Sequence, residues 1–210
     1  MLFLKANRGL GVKRMILALS EKATCFFIAH GMIESEDREV YYYSFQILFS
    51  TLLSFSAVLA LSLLTGTVVE TSLYFIAFVP LRQAAGGYHA GDHFRCFLIL
   101  IASYLLFLAI VRFMPSQYIS AIFLICLPAT ISLVFKLSPL DDPNKPFTES
   151  ERVRFKKKSR MTVIGYAALL IFMFVFVSNK VWMLSLLLGI LSVALSLFAS
   201  ALKKGGLFHG

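Results

Sequence analysis

Six stretches without a single charged residue divide the chain: Val40–Val69, Thr71–Leu81, Cys96–Val111, Phe113–Phe135, Met161–Asn179 and Val181–Leu202. A helix needs about 20 mostly apolar residues to cross a bilayer, and four of these stretches reach or nearly reach that length. The rest of the composition leaves few other choices. Of 210 residues, 59% are apolar and 15% charged, against about 25% charged in ordinary soluble domains. That is too little polar surface to coat a soluble core of this size. The 21 Phe exclude disorder, and three Cys exclude a scaffold built on disulfides. Runs such as Leu186-Leu187-Leu188 and Phe172-Met173-Phe174-Val175-Phe176 do not alternate as membrane barrel strands do. The expected fold is an all-α polytopic membrane bundle of about six spans. The first is placed at Phe45–Leu64, the second at Thr67–Leu81 and the third at Phe94–Val111. The last three follow the remaining uncharged stretches. The second span is short and carries Glu70.

Lys and Arg predict the orientation. Of the 20, eighteen fall on alternate connecting segments and two on the others. Basic residues stay cytoplasmic, so both termini are expected inside. The same asymmetry accounts for the net charge of +9 without nucleic acid. Met1–Leu4 is too short an apolar run for a signal peptide. Val12, Met15, Ile16, Leu19, Ala23, Phe26, Phe27 and His30 recur at helical spacing. They predict an N-terminal amphipathic helix, lying on the inner leaflet or packed on the bundle. Ser35-Glu36-Asp37 reads as a cap and acidic first turn for the helix that becomes span one. The expected division is a cytoplasmic helical region at 1–44, a membrane domain at 45–204 and a tail at 205–210.

The segment Leu81–Cys96 concentrates the reactive side chains. It holds Gly86, Gly87 and Gly91, His89 and His93, Asp92, Arg82, Arg95 and Cys96. A thiol nucleophile needs a base within about 3 Å. Seven residues on one straight helix would hold His89 and Cys96 about 10.5 Å apart along the axis. The glycines predict a break that lets His89 fold back. Asp92 then becomes an N-cap, and Cys96 falls in a first helical turn beside Arg95, where a thiol ionises more readily. A structural thiol at a span end is the plain alternative for Cys96. His89, His93 and Cys96 could also hold zinc, although no His-Glu-x-x-His pattern accompanies them. Cys25 and Cys126 read as small packing residues.

Arg82, Gly86-Gly87-Tyr88-His89-Ala90 and Cys96 resemble the signature of the accessory gene regulator B proteins, membrane cysteine endopeptidases of Gram-positive peptide quorum sensing. Arg82, Gly87, His89 and Cys96 fit that pattern without a gap, and the run Ser138–Pro146 is similar to the family's fourth-to-fifth span connection. The resemblance covers about residues 12–204. It implies that Cys96 attacks an AgrD-like propeptide at the bond before its acidic tail, with His89 moving the protons. The signal segment would remain as a thioester until its own Cys or Ser closes a thiolactone or lactone. It implies no cofactor and no metal. Arg82 would bind a substrate carboxylate or support the oxyanion, or else anchor the span at the inner leaflet. Gln83 and Asp92 are candidates to orient His89, and Gly86 and Gly87 to shape the segment. Lys156, Lys157 and Lys158 would attract the acidic tail or serve as a positive-inside anchor. A homodimer is expected from the family and from Gly165, Ala167, Ala168 and Gly189, which could equally serve contacts within one chain. The competing classes are a small peptide exporter, against which the scarcity of charge within the spans argues, and an assembly partner without catalysis.

Overall fold

The computed structural model describes residues 2–86, 93–140 and 147–203, with side chains described for 11–86, 99–140 and 147–202. These residues form seven α-helices and no β-strand: α1 Leu2–Ala29, α2 Arg38–Thr65, α3 Val68–Ala85, α4 His93–Phe113, α5 Ser116–Leu137, α6 Glu149–Phe176 and α7 Lys180–Lys203. The protein is an all-α membrane bundle. Four segments are long and apolar enough to cross a bilayer: Ser35–Thr65, Ser116–Leu137, Glu149–Phe176 and Lys180–Leu202. α4 is 21 residues long, and its described apolar stretch is Ile99–Phe113. At 18 residues, α3 has Glu70 near one end and Arg82 near the other.

The helices sort into two compact units. The first comprises Met1–Leu64 and Ala90–Tyr104. Within it α1 runs ten residues further toward the N-terminus than the apolar spacing indicates. Its buried residues are Ile16, Ser20 and Thr24, while Met15, Leu19 and Phe26 are exposed. The buried stripe shares Ile16 with the expected apolar face and continues from it through the small polar side chains of Ser20 and Thr24. Ser20 and Thr24 donate to carbonyls four residues back, each at 2.8 Å, so their burial leaves no hydroxyl unsatisfied. Phe27 and Phe45 meet at 5.3 Å between ring centres, and Arg38 pairs with Glu21. The start of α2 is a single 3₁₀ turn, Ser35–Asp37, running straight into the helix. Glu34, not Ser35, occupies its N-cap, with no side-chain cap bond.

The second unit comprises Thr65–His89 and Leu105–Gly210. Here α7 lies against both α3 and α5, and α6 packs on α3, α5 and α7. The α3–α7 crossing is close because Gly189 has no side chain. A Cβ there would strike the Tyr74 carbonyl and come within 2.9 Å of the Ala77 Cβ. Tyr74 also donates to Ser192 Oγ at 3.0 Å and packs on Phe107 at 4.6 Å between ring centres. Pro80 lies inside α3 and has no N–H to give the Ile76 carbonyl. The Tyr166 hydroxyl of α6 donates to that carbonyl instead, which turns a helix defect into an inter-helix contact. Of the four small residues considered for a second copy, Gly189 and Ala167 are used up within this unit, whereas Gly165 and Ala168 are open.

Candidate active site

The last turn of α3 carries Arg82, Gln83 and the capping Gly86. Gly86 adopts φ +72° and returns its N–H to the Arg82 carbonyl at 3.1 Å. A left-handed φ is open to glycine and costs other residues about 1–2 kcal/mol. Space demands glycine as well, since a Cβ would sit 2.5 Å from the Leu140 carbonyl oxygen. The connection after α5 runs directly alongside: Leu140 N–H donates to the Ala85 carbonyl at 3.1 Å. That connection is itself held to α6, because the buried Ser138 hydroxyl donates to Ser159 Oγ at 2.6 Å.

Arg82 is half-buried and turned toward α7, where its Nη1 donates to Ser196 Oγ at 2.6 Å. Gln83 is exposed. The end of α3 is thus fastened to α7 through Arg82 and to the α5–α6 connection through Ala85 and Gly86. These ties set where the reactive segment leaves the bundle. Cys96 belongs to the backbone of α4, described over His93–Phe113. α3 is closed at Gly86, whose φ of +72° is not helical. Gly87, His89, Gly91 and Asp92 lie outside the described residues, and so do the side chains of His93 and Cys96. The His89–Cys96 pairing, the Asp92 cap and the zinc alternative all fall there.

The other thiols are elsewhere. Cys126 is half-buried in mid-α5. Cys25 is exposed on α1 and donates to Glu21 at 3.6 Å. It is therefore not a packing residue, because its side of α1 points away from the Ile16–Ser20–Thr24 stripe. Among the described residues no group of three His, Cys, Asp or Glu is placed to hold a metal.

Lys156, Lys157 and Lys158 are exposed and helical, not part of a loop. The whole basic run belongs to α6, which starts at a capping box. Thr148 accepts from the Glu151 N–H, and the Glu151 carboxylate accepts from the Thr148 N–H. The Thr148-x-x-Glu151 spacing is the signal for this early start. Ser196 is a second contributor that motif reading leaves out. Its trace in sequence is the Ser192, Ser196, Ser200 row at helical spacing on α7. A third is Arg160. Its Nη2 donates to the Phe135 carbonyl at 3.1 Å, and its guanidinium carbon lies 4.9 Å from the centre of the Phe135 ring.

Against known proteins, residues 20–198 match the family model described as accessory gene regulator B. An AgrB-like protein of Clostridium perfringens strain SM101 is 28% identical over 169 residues, covering 75% of this chain and 79% of that protein. A second AgrB-like protein, from C. perfringens strain 13, is 27% identical with the same coverage. Protein FsrB of Enterococcus faecalis OG1RF is 31% identical over 141 residues, which is 66% of this chain and 56% of FsrB. No solved structure gives a significant match.

Proposed function

The chain belongs to the accessory gene regulator B family, and from that premise we propose that it is a membrane cysteine endopeptidase that trims and cyclises a quorum-sensing propeptide. The observation that supports this reading is the closure of α3 at Gly86, whose φ of +72° and N–H bond to the Arg82 carbonyl end the helix just before the segment that carries His89. α3 ends at Ala85, and Cys96 belongs to α4, His93–Phe113; in this reading the thiol sits in the first turn of that helix. A nucleophile at that point lies at the positive end of the helix macrodipole.

The substrate is an AgrD-like propeptide. Cys96 thiolate attacks the carbonyl joining the signal segment to its acidic tail. The C–N bond breaks, and the departing amine takes the proton that His89 removed from the thiol. The signal segment is now a thioester on Cys96. A Cys or Ser of the signal segment attacks the same carbonyl, closing the ring and returning Cys96 as thiolate. Forming a thioester from a peptide is uphill, and ring closure roughly even. Removal of the tail and exclusion of water from the acyl-enzyme favour the forward direction. Arg82, fixed by Ser196, supports the oxyanion or a substrate carboxylate. Gln83 and Asp92 serve to orient His89, and Gly86 and Gly87 shape the turn. Lys156–Lys158 draw the acidic tail through their field. The termini and the site face the cytoplasm, by the asymmetry of Lys and Arg. Gly165 and Ala168 leave α6 an open small-residue face for a second copy.

The test is mass spectrometry of the purified protein with candidate propeptides. An adduct on Cys96 equal in mass to the signal segment supports the reading. Cleavage that survives Cys96→Ser, or stops on chelation, removes it.

A further inference from the structure

We propose that an open groove between the last turn of α5 and the first half of α6 seats one anionic phospholipid. The groove has a volume of about 390 Å³ and an almost wholly apolar lining. At one end stand Lys156, Lys157 and Arg160, and at the other Met161 and Ile164, with Phe135 of α5 forming a wall. Val153 is its one apolar residue on the charged side. Lys156, Lys157 and Arg160 line it with their alkyl stems, which leaves their charged ends at its rim, and no acidic side chain is among its lining residues.

The register of α6 sets the depth. Arg160 is the last charged residue before Lys180, so the groove straddles the border between the charged and the apolar part of the helix. Lys156 to Ile164 spans about 12 Å along the axis. That reaches from a headgroup layer roughly 5–8 Å thick into the hydrocarbon. A phosphate at the lysine end and an acyl chain along Phe135, Met161 and Ile164 match both halves. Arg160 is prepared for this. Its guanidinium is held against Phe135 by the Nη2 bond and the ring, while its Nε has no hydrogen-bond partner. A cation already fixed loses little freedom on binding. Basic pockets between helices at headgroup level are where acidic lipids bind. An acidic peptide would satisfy the cations but leave the apolar half unfilled. Arg154 and Lys158 do not line the groove, which separates this site from the general positive charge of α6.

The test uses the full chain in detergent and native mass spectrometry, with phosphatidylglycerol and phosphatidylcholine of equal acyl chains. One phosphatidylglycerol is expected to be retained in preference to phosphatidylcholine. Lys156→Gln with Lys157→Gln should cut that preference about thirtyfold, given roughly 1 kcal/mol per basic residue at an acidic lipid surface. Arg154→Gln with Lys158→Gln removes the same charge and should change it less than about twofold. All four side chains are exposed, so both double variants are expected to fold. Equal loss in the two doubles would reduce the effect to net charge and overturn the proposal. So would equal retention of both lipids, displacement by glycerol 3-phosphate alone, which marks a free-phosphate site, or displacement by a short acidic peptide. Peptide cleavage is not read in any arm, so the result stands apart from the catalytic reading.

Discussion

Helices α2 and α7 are equally apolar by mean hydropathy, yet 61% of the membrane-length window of α7 is buried and only 22% of that of α2. In a bilayer, lipid is as good a solvent for Leu as another helix, so apolarity alone does not bring helices together. The side chains that differ are the small ones. On α7, Ser185, Gly189, Ser192, Ser196 and Ser200 follow one another every three or four residues. Gly189 lets α3 approach, and Ser192 and Ser196 accept bonds from Tyr74 and Arg82 of α3. On α2 the buried row is Ser50, Ser54, Val58 and Ser62, and Ser54 donates to its own helix at 2.8 Å. Serine rows mark the buried face of both helices, and in α7 two of those serines accept bonds from another helix.

The strongest challenge to that contrast is Gly189→Leu. The new side chain would enter the Tyr74 and Ala77 backbone region, where no rotamer is free. Overpacking costs 1–3 kcal/mol and sometimes more. At a helix crossing we expect loss of most of the monodisperse protein on size exclusion. Gly165→Leu, where a Cβ meets nothing within 4 Å, should express like the parent. If both variants behave alike, close approach is not what buries α7.

Next in size is a pair of truncations. Leu187 on α7 is 0% exposed and Leu59 on α2 is 55% exposed. Leu187→Ala should cost about 2–5 kcal/mol, read as a lowered unfolding midpoint in detergent. Leu59→Ala should cost less than about 0.5 kcal/mol.

A smaller effect separates two glycines of like conformation, Gly31 after α1 and Gly86 after α3, with φ +66° and +72°. Alanine at either carries the left-handed strain of about 1–2 kcal/mol. Only Gly86→Ala also meets the Leu140 carbonyl. It should therefore lower propeptide cleavage well beyond its loss of stability, while Gly31→Ala lowers stability alone. Equal cleavage per folded molecule in the two variants would detach the Leu140 contact from the site.

What could be read from residues alone follows the range of the forces. The helices were legible because apolar runs and glycine caps are local signals: α3 ends where Gly86 takes a φ of +72°. The extension of α6 back to Glu149 was hidden by its charges, although the Thr148-x-x-Glu151 box states it. The burial of Ser20 and Thr24 on α1 was not legible, because they satisfy their hydroxyls locally and so bury without apolar character. At the candidate site, Arg82 and the glycines stand out by motif. Their partners Ser196 and Leu140 do not, since each is brought there by tertiary packing across 114 residues in the first case. The same holds for Tyr166, which answers a carbonyl freed by Pro80 on another helix.

Ser196→Ala is the finest probe of the contrast between α7 and α2. Hydrogen bonds between membrane helices average about 0.6 kcal/mol, so the midpoint should fall by no more than about 1 kcal/mol. Ser54→Ala, which removes a bond internal to α2, should move it even less. The two variants should part on activity. Without Ser196 Oγ, Arg82 loses the contact that holds its Nη1 toward α7 and samples more orientations. The rate of acyl transfer should drop about threefold to tenfold if about 0.6–1.4 kcal/mol of positioning is lost. KM should hold if Arg82 serves the oxyanion and rise if it serves a substrate carboxylate. Ser196→Thr keeps the hydroxyl and should restore the rate. A Ser196→Ala enzyme with unchanged kcat and KM would mean that the α3–α7 bond packs the bundle and does nothing for Arg82.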